Sequence, residues 1–270
     1  IVLISLSGYG YGAAQGDPIG GLILAGVISS LYALISFYTS DRVTLLTSGA
    51  RLIEKEDHPL LWNTIETLAI TAGLPMPRVG IIEDNAMNAF ASGRNPEHAV
   101  VAVTRGLLTR LTKTELEGVI AHEMSHIKNW DIQLMTLVVV LVGTLAILGD
   151  LTTRFAIGGN KRGGGRGGGW LAIVGIVLLI LSPLIGKLIQ LAIGRQREYL
   201  ADASGSLLTR YPEGLASALE KLKNDPLELK RATHATAHLF IKEPFKPSFL
   251  TRVFATHPPV DERIARLRKM

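Results

Sequence analysis

Three long runs of the chain, Ile19 to Tyr38, Ile132 to Gly149 and Trp170 to Gly186, are apolar and carry no charged residue. At about 20 residues and 1.5 Å of rise per residue, each is long enough to cross a hydrocarbon core of about 30 Å with little tilt. The pattern therefore predicts three transmembrane helices. Residues Ile1 to Leu6 read as the tail of a further apolar segment whose start lies upstream. Between the first two runs, Ser40 to Asp131 alternates helix-like and strand-like patterns, as an α+β domain does. A helix capped by Asp57, with Pro59 in its first turn, is expected to end at Gly73 after burying Leu60, Leu61, Ile65 and Leu68. Short β-like runs follow at Val79 to Ile82, Met87 to Ala91 and Ala99 to Thr104. Then comes a helix opening with Thr112-x-x-Glu115, the reciprocal capping pattern that satisfies two orphan amides. After the third apolar run, helices are expected at Pro212 to Lys223, Leu227 to Leu239 and Val260 to Lys269. No internal repeat is visible.

Composition agrees with a chain that is partly in lipid and partly in water. Its 270 residues are 47% hydrophobic, with a formal net charge of +5 and a mean hydropathy of +0.30. The positive charge is dispersed. Its one Arg/Gly cluster, Gly158 to Gly169, lies between two apolar runs and has no interleaved aromatic, so it reads as a flexible interhelical loop and not as a nucleic-acid surface. No phosphate-cradling G-x-x-x-x-G-K-[ST] loop is present, so nothing points to a nucleotide. The absence of cysteine excludes a disulfide framework and a thiolate metal site.

Chemistry concentrates on the helix that Thr112 opens. His122 and His126 stand one turn apart and face the same way, so both imidazoles can reach one metal at about 2.0–2.1 Å. Glu123, beside them, is placed to take a proton from an attacking water and give it to a leaving amine. A catalytic zinc needs a third protein ligand, and the candidate lies in RQREYLAD, where Glu198 and Asp202 are spaced i, i+4. Glu198 could bind the metal while Asp202 accepts a hydrogen bond from a liganding imidazole. The alternative is a solvated ion-pair face with Arg195 and Arg197. His234 and His238 have ligand-like spacing without a following glutamate, and His58 and His98 flank prolines in loops; none of these carries a site.

HEMSH, a two-span insertion and Glu-x-x-x-Asp, with NAFASG upstream and THPPVDERI downstream, closely resemble the HtpX-like membrane zinc endopeptidases, relatives of the Ste24-type CAAX-prenyl proteases. The resemblance covers essentially the whole chain. It implies an α+β membrane protein with a gluzincin-like zinc protease domain, mostly helical with a small sheet, interrupted by a transmembrane helical hairpin. The organisation it implies is an N-terminal transmembrane region (1–39, second span 19–38), a first protease segment with HEMSH (40–131), a hairpin with the Gly-rich loop (132–194) and a second protease segment (195–270). It implies one Zn2+ on His122, His126 and Glu198, Glu123 as general base and acid, and Asp202 behind the ligands. It also implies quality control of membrane proteins and unfolded polypeptides, with self-cleavage a further possibility, at the plasma membrane. Asn88, Ala89, Phe90 and Ala91 match the edge strand that pairs with substrate in such enzymes. His257 and Arg263 match a His and an Arg that the family places near the substrate carbonyl, His257 as a catalytic group and Arg263 in the layer behind the ligands.

Spacing then sets the site beside the bilayer. His126 lies six residues, about 9 Å of helix, before the run starting at Ile132, and Glu198 lies about 18 Å beyond Gly186. Residues 8 to 18 hold no Lys or Arg, whereas Arg42, Arg51 and Lys55 follow the first complete span, so the protease face is expected on the cytoplasmic side. Arg154, Lys161, Arg162 and Arg166 put positive charge on the opposite side, as a hairpin that does not fully cross would allow. Two rival readings remain at this level, an intramembrane metalloprotease and a catalytically silent zinc-holding scaffold.

Overall fold

The computed structural model describes residues 5, 8–9, 12–13, 15–137, 177, 194–231, 239–242 and 258–270. The chain divides into two compact units, 1–39 with 137–188 and 40–136 with 189–270. In the first unit the described part is chiefly the start of α1, Pro18–Ser48, a 31-residue helix. Its best apolar window has only 6% of its residues buried inside the protein, and this is the one helix among the described residues long and apolar enough to cross a membrane. The expected spans from Ile132 and Trp170 fall almost wholly outside the described residues. Helix α1 runs ten residues past the expected end at Tyr38, and within this extension Asp41 is buried against Arg78 at 2.6 Å.

The second unit is built on a four-stranded sheet, β1 (Ala50–Leu52), β2 (Arg78–Ile82), β3 (Ala89–Ser92) and β4 (Val100–Thr104), in the order β1-β2-β4-β3. β2 and β4 are parallel and the other pairs antiparallel. The three expected strands are present within one or two residues of their expected bounds, and β1, with no apolar run of its own, is an addition. β4 is buried along its whole length, which is why it reads as a continuous apolar run and not as an alternation.

Helix α2 (Pro59–Ala72) lies against one face of the sheet. Its cap is His58, whose Nδ1 accepts from the Leu61 amide at 3.2 Å, and not Asp57; Asp57 instead accepts from the Glu54 amide. Gly73 ends it at φ +69°, a left-handed conformation that glycine adopts without a Cβ clash. The buried stripe is Leu61, Ile65, Leu68, Ala69 and Ala72, while Leu60 faces outward. Short α3 (Arg105–Arg110) leads to α4 (Lys113–Lys128), the motif helix, whose capping box is complete: Thr112 Oγ1 accepts from the Glu115 amide and Glu115 accepts from the Thr112 amide. Residues 131–137 are helical (α5), as are 194–209 (α6); α7 (Pro212–Asn224) and α8 (Val260–Leu267) complete the unit. A core of Leu61, Ile65, Val101, Val103, Ile120 and Met124 with their neighbours joins the sheet to α2, α4 and α7. On the other face, Phe90, Val100 and Ala102 pack with Leu45, Ile82 and Phe240.

The expected helix over Leu227 to Leu239 is not formed in its described part. Residues 227–231 are irregular, because Asp225 ends α7 and its carboxylate accepts from the amides of Met87 and Leu227, turning the chain toward the sheet. Residues 239–242 then run along β3, with Phe240 bridged antiparallel to Phe90.

Candidate metal centre

Helix α4 carries His122 and His126 on its buried side near its C-terminal end. The second contribution comes from α6, which packs backbone against backbone beside them: a Cβ added at Gly205 would lie 2.9 Å from the His122 nitrogen. That approach brings Glu198 over both imidazoles. His122 Nε2 and His126 Nε2 are 3.2 Å apart, and the two oxygens of Glu198 lie 3.6 and 3.5 Å from them. Ligand atoms held about 2.0–2.1 Å from a tetrahedral zinc sit about 3.3 Å from one another, and one donor atom from each of these three side chains lies within 4.8 Å of the others, close enough for a set of three ligands that could hold one metal. His122, His126 and Glu198 are the metal-capable cluster found among the described residues.

Each imidazole is held from behind by a buried aspartate. His122 Nδ1 meets Asp202 Oδ1 at 3.0 Å, and Arg263 donates to Asp202 through Nε at 2.9 Å and Nη2 at 2.7 Å while Nη1 faces Glu198 Oε2 at 3.0 Å. Arg263 has 0% exposure, and its guanidinium is hydrogen-bonded to Asp202 and ion-paired with Glu198. Burial alone would raise the Asp202 pKa, but the charge of Arg263 and the hydrogen bond to His122 hold it at about 2. Burial, with the positive charges of Arg263 and His126, pushes His122 below its ordinary value against the pull of Asp202. His126 is the opposite case. Burial would lower it, yet hydrogen bonds to Asp131 and Glu198 push it up to about 10.

Asp131 was not among the residues singled out from sequence. It accepts from His126 Nδ1 at 3.0 Å and also pairs with Arg197, at 1% exposure. The signal was present as an acid five residues after the second histidine, but a lone aspartate beside an apolar run has no distinguishing pattern. Arg197, which the sequence offers as a partner for Glu198 or Asp202, is taken up by Asp131 instead.

The cleft over these groups is lined by Glu123, by Ala91 of β3, by Ile132 and Met135 of α5, and by Leu239 and Ile241. Glu123 has 2% exposure. Asn88 and Ala89 hold the 239–242 segment: Ala89 O accepts from the Ile241 amide at 3.0 Å, Asn88 Oδ1 accepts from the Lys242 amide at 3.2 Å, and Asn88 Nδ2 donates to the Lys242 carbonyl at 2.9 Å. Phe90 points to the far face, edge-on to Phe240 at 5.3 Å between ring centroids. His257, His234 and His238 lie outside the described residues. His58 caps α2 and His98 Nδ1 lies 2.7 Å from Asn95 Oδ1, so both have local partners.

The profile of peptidase family M48 matches residues 56–270. The chain belongs to this family. Among its relatives is a protein named protease HtpX homolog from Tropheryma whipplei, 45% identical over 270 residues that cover all of this chain and 92% of that one. Another of that name from Dictyoglomus turgidum is 46% identical over 93% of this chain and 82% of its own. The crystal structure of Ste24p from S. mikatae superposes with a TM-score of 0.54 at 19% identity; the match covers 98% of this chain and 62% of that one, a likeness of fold. This M48 peptidase is a membrane metalloprotease, and a hydrolase by reaction.

Proposed function

We propose that this M48 peptidase is a zinc endopeptidase that cleaves unfolded or damaged membrane proteins at the cytoplasmic face of the cell membrane, as part of stress-linked quality control. The observation that carries the reading is the spacing of 3.2, 3.5 and 3.6 Å among His122 Nε2, His126 Nε2 and the Glu198 oxygens, with Glu123 lining the same cleft. His122, His126 and Glu198 would hold the zinc, which when bound supplies a Lewis acid and makes a nearby water acidic. Glu123 takes the proton of the attacking water and returns it to the leaving amine. Asp202 and Arg263 keep His122 and Glu198 in place while this happens. His257 remains a candidate for contact with the reacting carbonyl.

Substrate backbone adds to β3, where the Ala89 carbonyl and both ends of the Asn88 amide are directed at the adjacent 239–242 segment. Residues 239–242 fill that edge, so a substrate takes their place. Such binding needs an extended peptide, which favours segments already unfolded, and self-cleavage would use the same groups. The polarity of Arg42, Arg51 and Lys55 after α1's apolar window supports the cytoplasmic side.

The test is Glu123→Gln in the full chain. It is expected to keep one zinc per chain and to lose proteolysis of an unfolded membrane substrate by about 10²–10⁴-fold. Cleavage near the wild-type rate would overturn the assignment of Glu123.

A further inference from the structure

The second histidine has a support of its own. Helix α4 ends at Lys128 with Asn129 as its cap, and the chain then passes through Trp130 at φ +62° before α5 begins at Asp131. Left-handed backbone is unfavourable for a residue with a bulky side chain, by about 1–2 kcal/mol, and persists only where the surroundings demand it. The Trp130 side chain is half exposed, so its packing does not supply the demand. What the turn achieves is a reversal tight enough to swing the first residue of α5 back under the last turn of α4. There the Asp131 carboxylate divides its work: Oδ2 accepts from His126 Nδ1 at 3.0 Å, and Oδ1 meets the guanidinium of Arg197.

Each part of this arrangement has a counterpart at the first histidine, where Asp202 Oδ1 faces His122 Nδ1 and Asp202 Oδ2 accepts from Arg263. A carboxylate can only accept, so it fixes the proton on Nδ1 and leaves the Nε2 lone pair directed at the space shared with Glu198. The difference lies in what the arginines connect. Arg263 comes from α8. Arg197 is adjacent to Glu198 on α6, so its pair with Asp131 ties the segment that follows the motif helix directly to the helix carrying the third candidate ligand. Glu198 and His126 are thereby set in register by one link of two residues.

We propose that Asp131 is the positioning residue of His126 for the metal, and that Arg197 locks Asp131 to the Glu198-bearing helix. The proposal rests on reading His122, His126 and Glu198 as the metal ligands. It assigns to Asp131 no contact with substrate.

The experiment uses the full chain in detergent micelles and reads Zn2+ affinity by competition with a chromogenic chelator, together with the visible spectrum of the Co2+-substituted protein. Asp131→Asn keeps the volume but replaces an obligate acceptor with a group that can also donate. It is expected to weaken Zn2+ binding by about 10–100-fold and to change the Co2+ bands, since His126 is no longer held in one orientation. Arg197→Met is expected to weaken binding in the same direction by a smaller factor, and Arg197→Lys to restore part of it. Glu115→Gln is the control for simple destabilisation: it removes a buried, cation-paired acid from the same helix, seven residues before His122, and is expected to lower stability without moving the Zn2+ affinity or the Co2+ spectrum. Wild-type affinity and spectrum in Asp131→Asn would overturn the role of Asp131, and wild-type behaviour of Arg197→Met would overturn that of Arg197. If His126→Ala and Glu198→Ala themselves bound Zn2+ as the wild type does, the ligand assignment and not the positioning role would be what failed.

Discussion

At the scale of single residues, buried charges of the second unit such as Asp41, Glu115, Asp131, Asp202 and Asp225 each meet a partner of opposite sign. Glu115 shows this away from the metal centre. It closes the capping box of α4, accepts from Ser217 and Lys221 at 2.7 Å each, and is nearly buried. Burial would raise its pKa, but these hydrogen bonds hold it at about 2 against an ordinary 4.5. A folded-state value below the unfolded one contributes stability that is complete above pH of about 4.5 and is lost as pH falls through about 2. Glu115→Gln is therefore expected to destabilise the protease unit by about 2–3 kcal/mol at pH 7. In thermal unfolding followed against pH, the gap from wild type should close between about pH 4.5 and 2; a gap that persists undiminished in acid would assign it to packing.

At the scale of elements, the site depends on how closely two helices approach. Gly205 of α6 and Gly118 of α4 both sit where a Cβ would strike backbone, at 2.9 Å from the His122 nitrogen and 2.6 Å from the Leu215 nitrogen respectively. Alanine at either position is expected to destabilise by about 1–3 kcal/mol, since helices must part to admit it. The two substitutions should differ in zinc binding. Gly205→Ala moves the helix of Glu198 away from His122 and should lower affinity at least tenfold, whereas Gly118→Ala pushes on α7, which carries no ligand, and should leave affinity within a few-fold. Equal affinities in the two variants would show that the contact of α4 and α6 does not set the ligand spacing.

The 239–242 segment is the other element with a consequence for function. Its anchor is Phe240, buried at 2% against Phe90. If substrate must replace this segment on β3, apparent affinity is reduced by the fraction of time the edge is occupied. Phe240→Ala should lower KM for an unstructured peptide several-fold while leaving Asn88 and the metal site in place. An unchanged KM with intact folding would mean that the segment stays on β3 during turnover.

At the scale of the whole molecule, the second unit is assembled from two stretches of chain, 40–136 and 189–270, and each brings part of the proposed ligand set. A metal at His122, His126 and Glu198 therefore links them in addition to the core. Binding to the folded state alone stabilises by about 4 kcal/mol when free metal is a thousandfold above its Kd. Chelation is expected to lower the unfolding temperature of the wild type and to leave that of Glu198→Ala nearly unchanged; a chelator effect of equal size in both would place the stabilising metal elsewhere. The first unit answers to a different solvent. The outward apolar surface of α1, including Ile23, Leu24, Val27 and Leu31, is more than half exposed, which suits contact with lipid.

Sequence by itself determined what depends on near neighbours along the chain. Helical period puts His122 and His126 on one face of α4, the Thr112 and Glu115 pair begins that helix, and the buried runs that become β2 and β4 declare themselves by uninterrupted apolar residues. The apolar window of α1 is legible for the same reason. Tertiary structure decided which distant groups meet. Strand β1 has no apolar pattern and is a strand because β2 offers it an edge. The 227–231 stretch fails to become a helix because Asp225 binds the amide of Met87, far away in sequence. The choice of His58 over Asp57 as a cap turns on one residue of backbone path. Arg197 pairs with Asp131 and Arg263 with Asp202 because folding brings α5, α6 and α8 around the end of α4, and a charge has no periodicity from which its partner can be read.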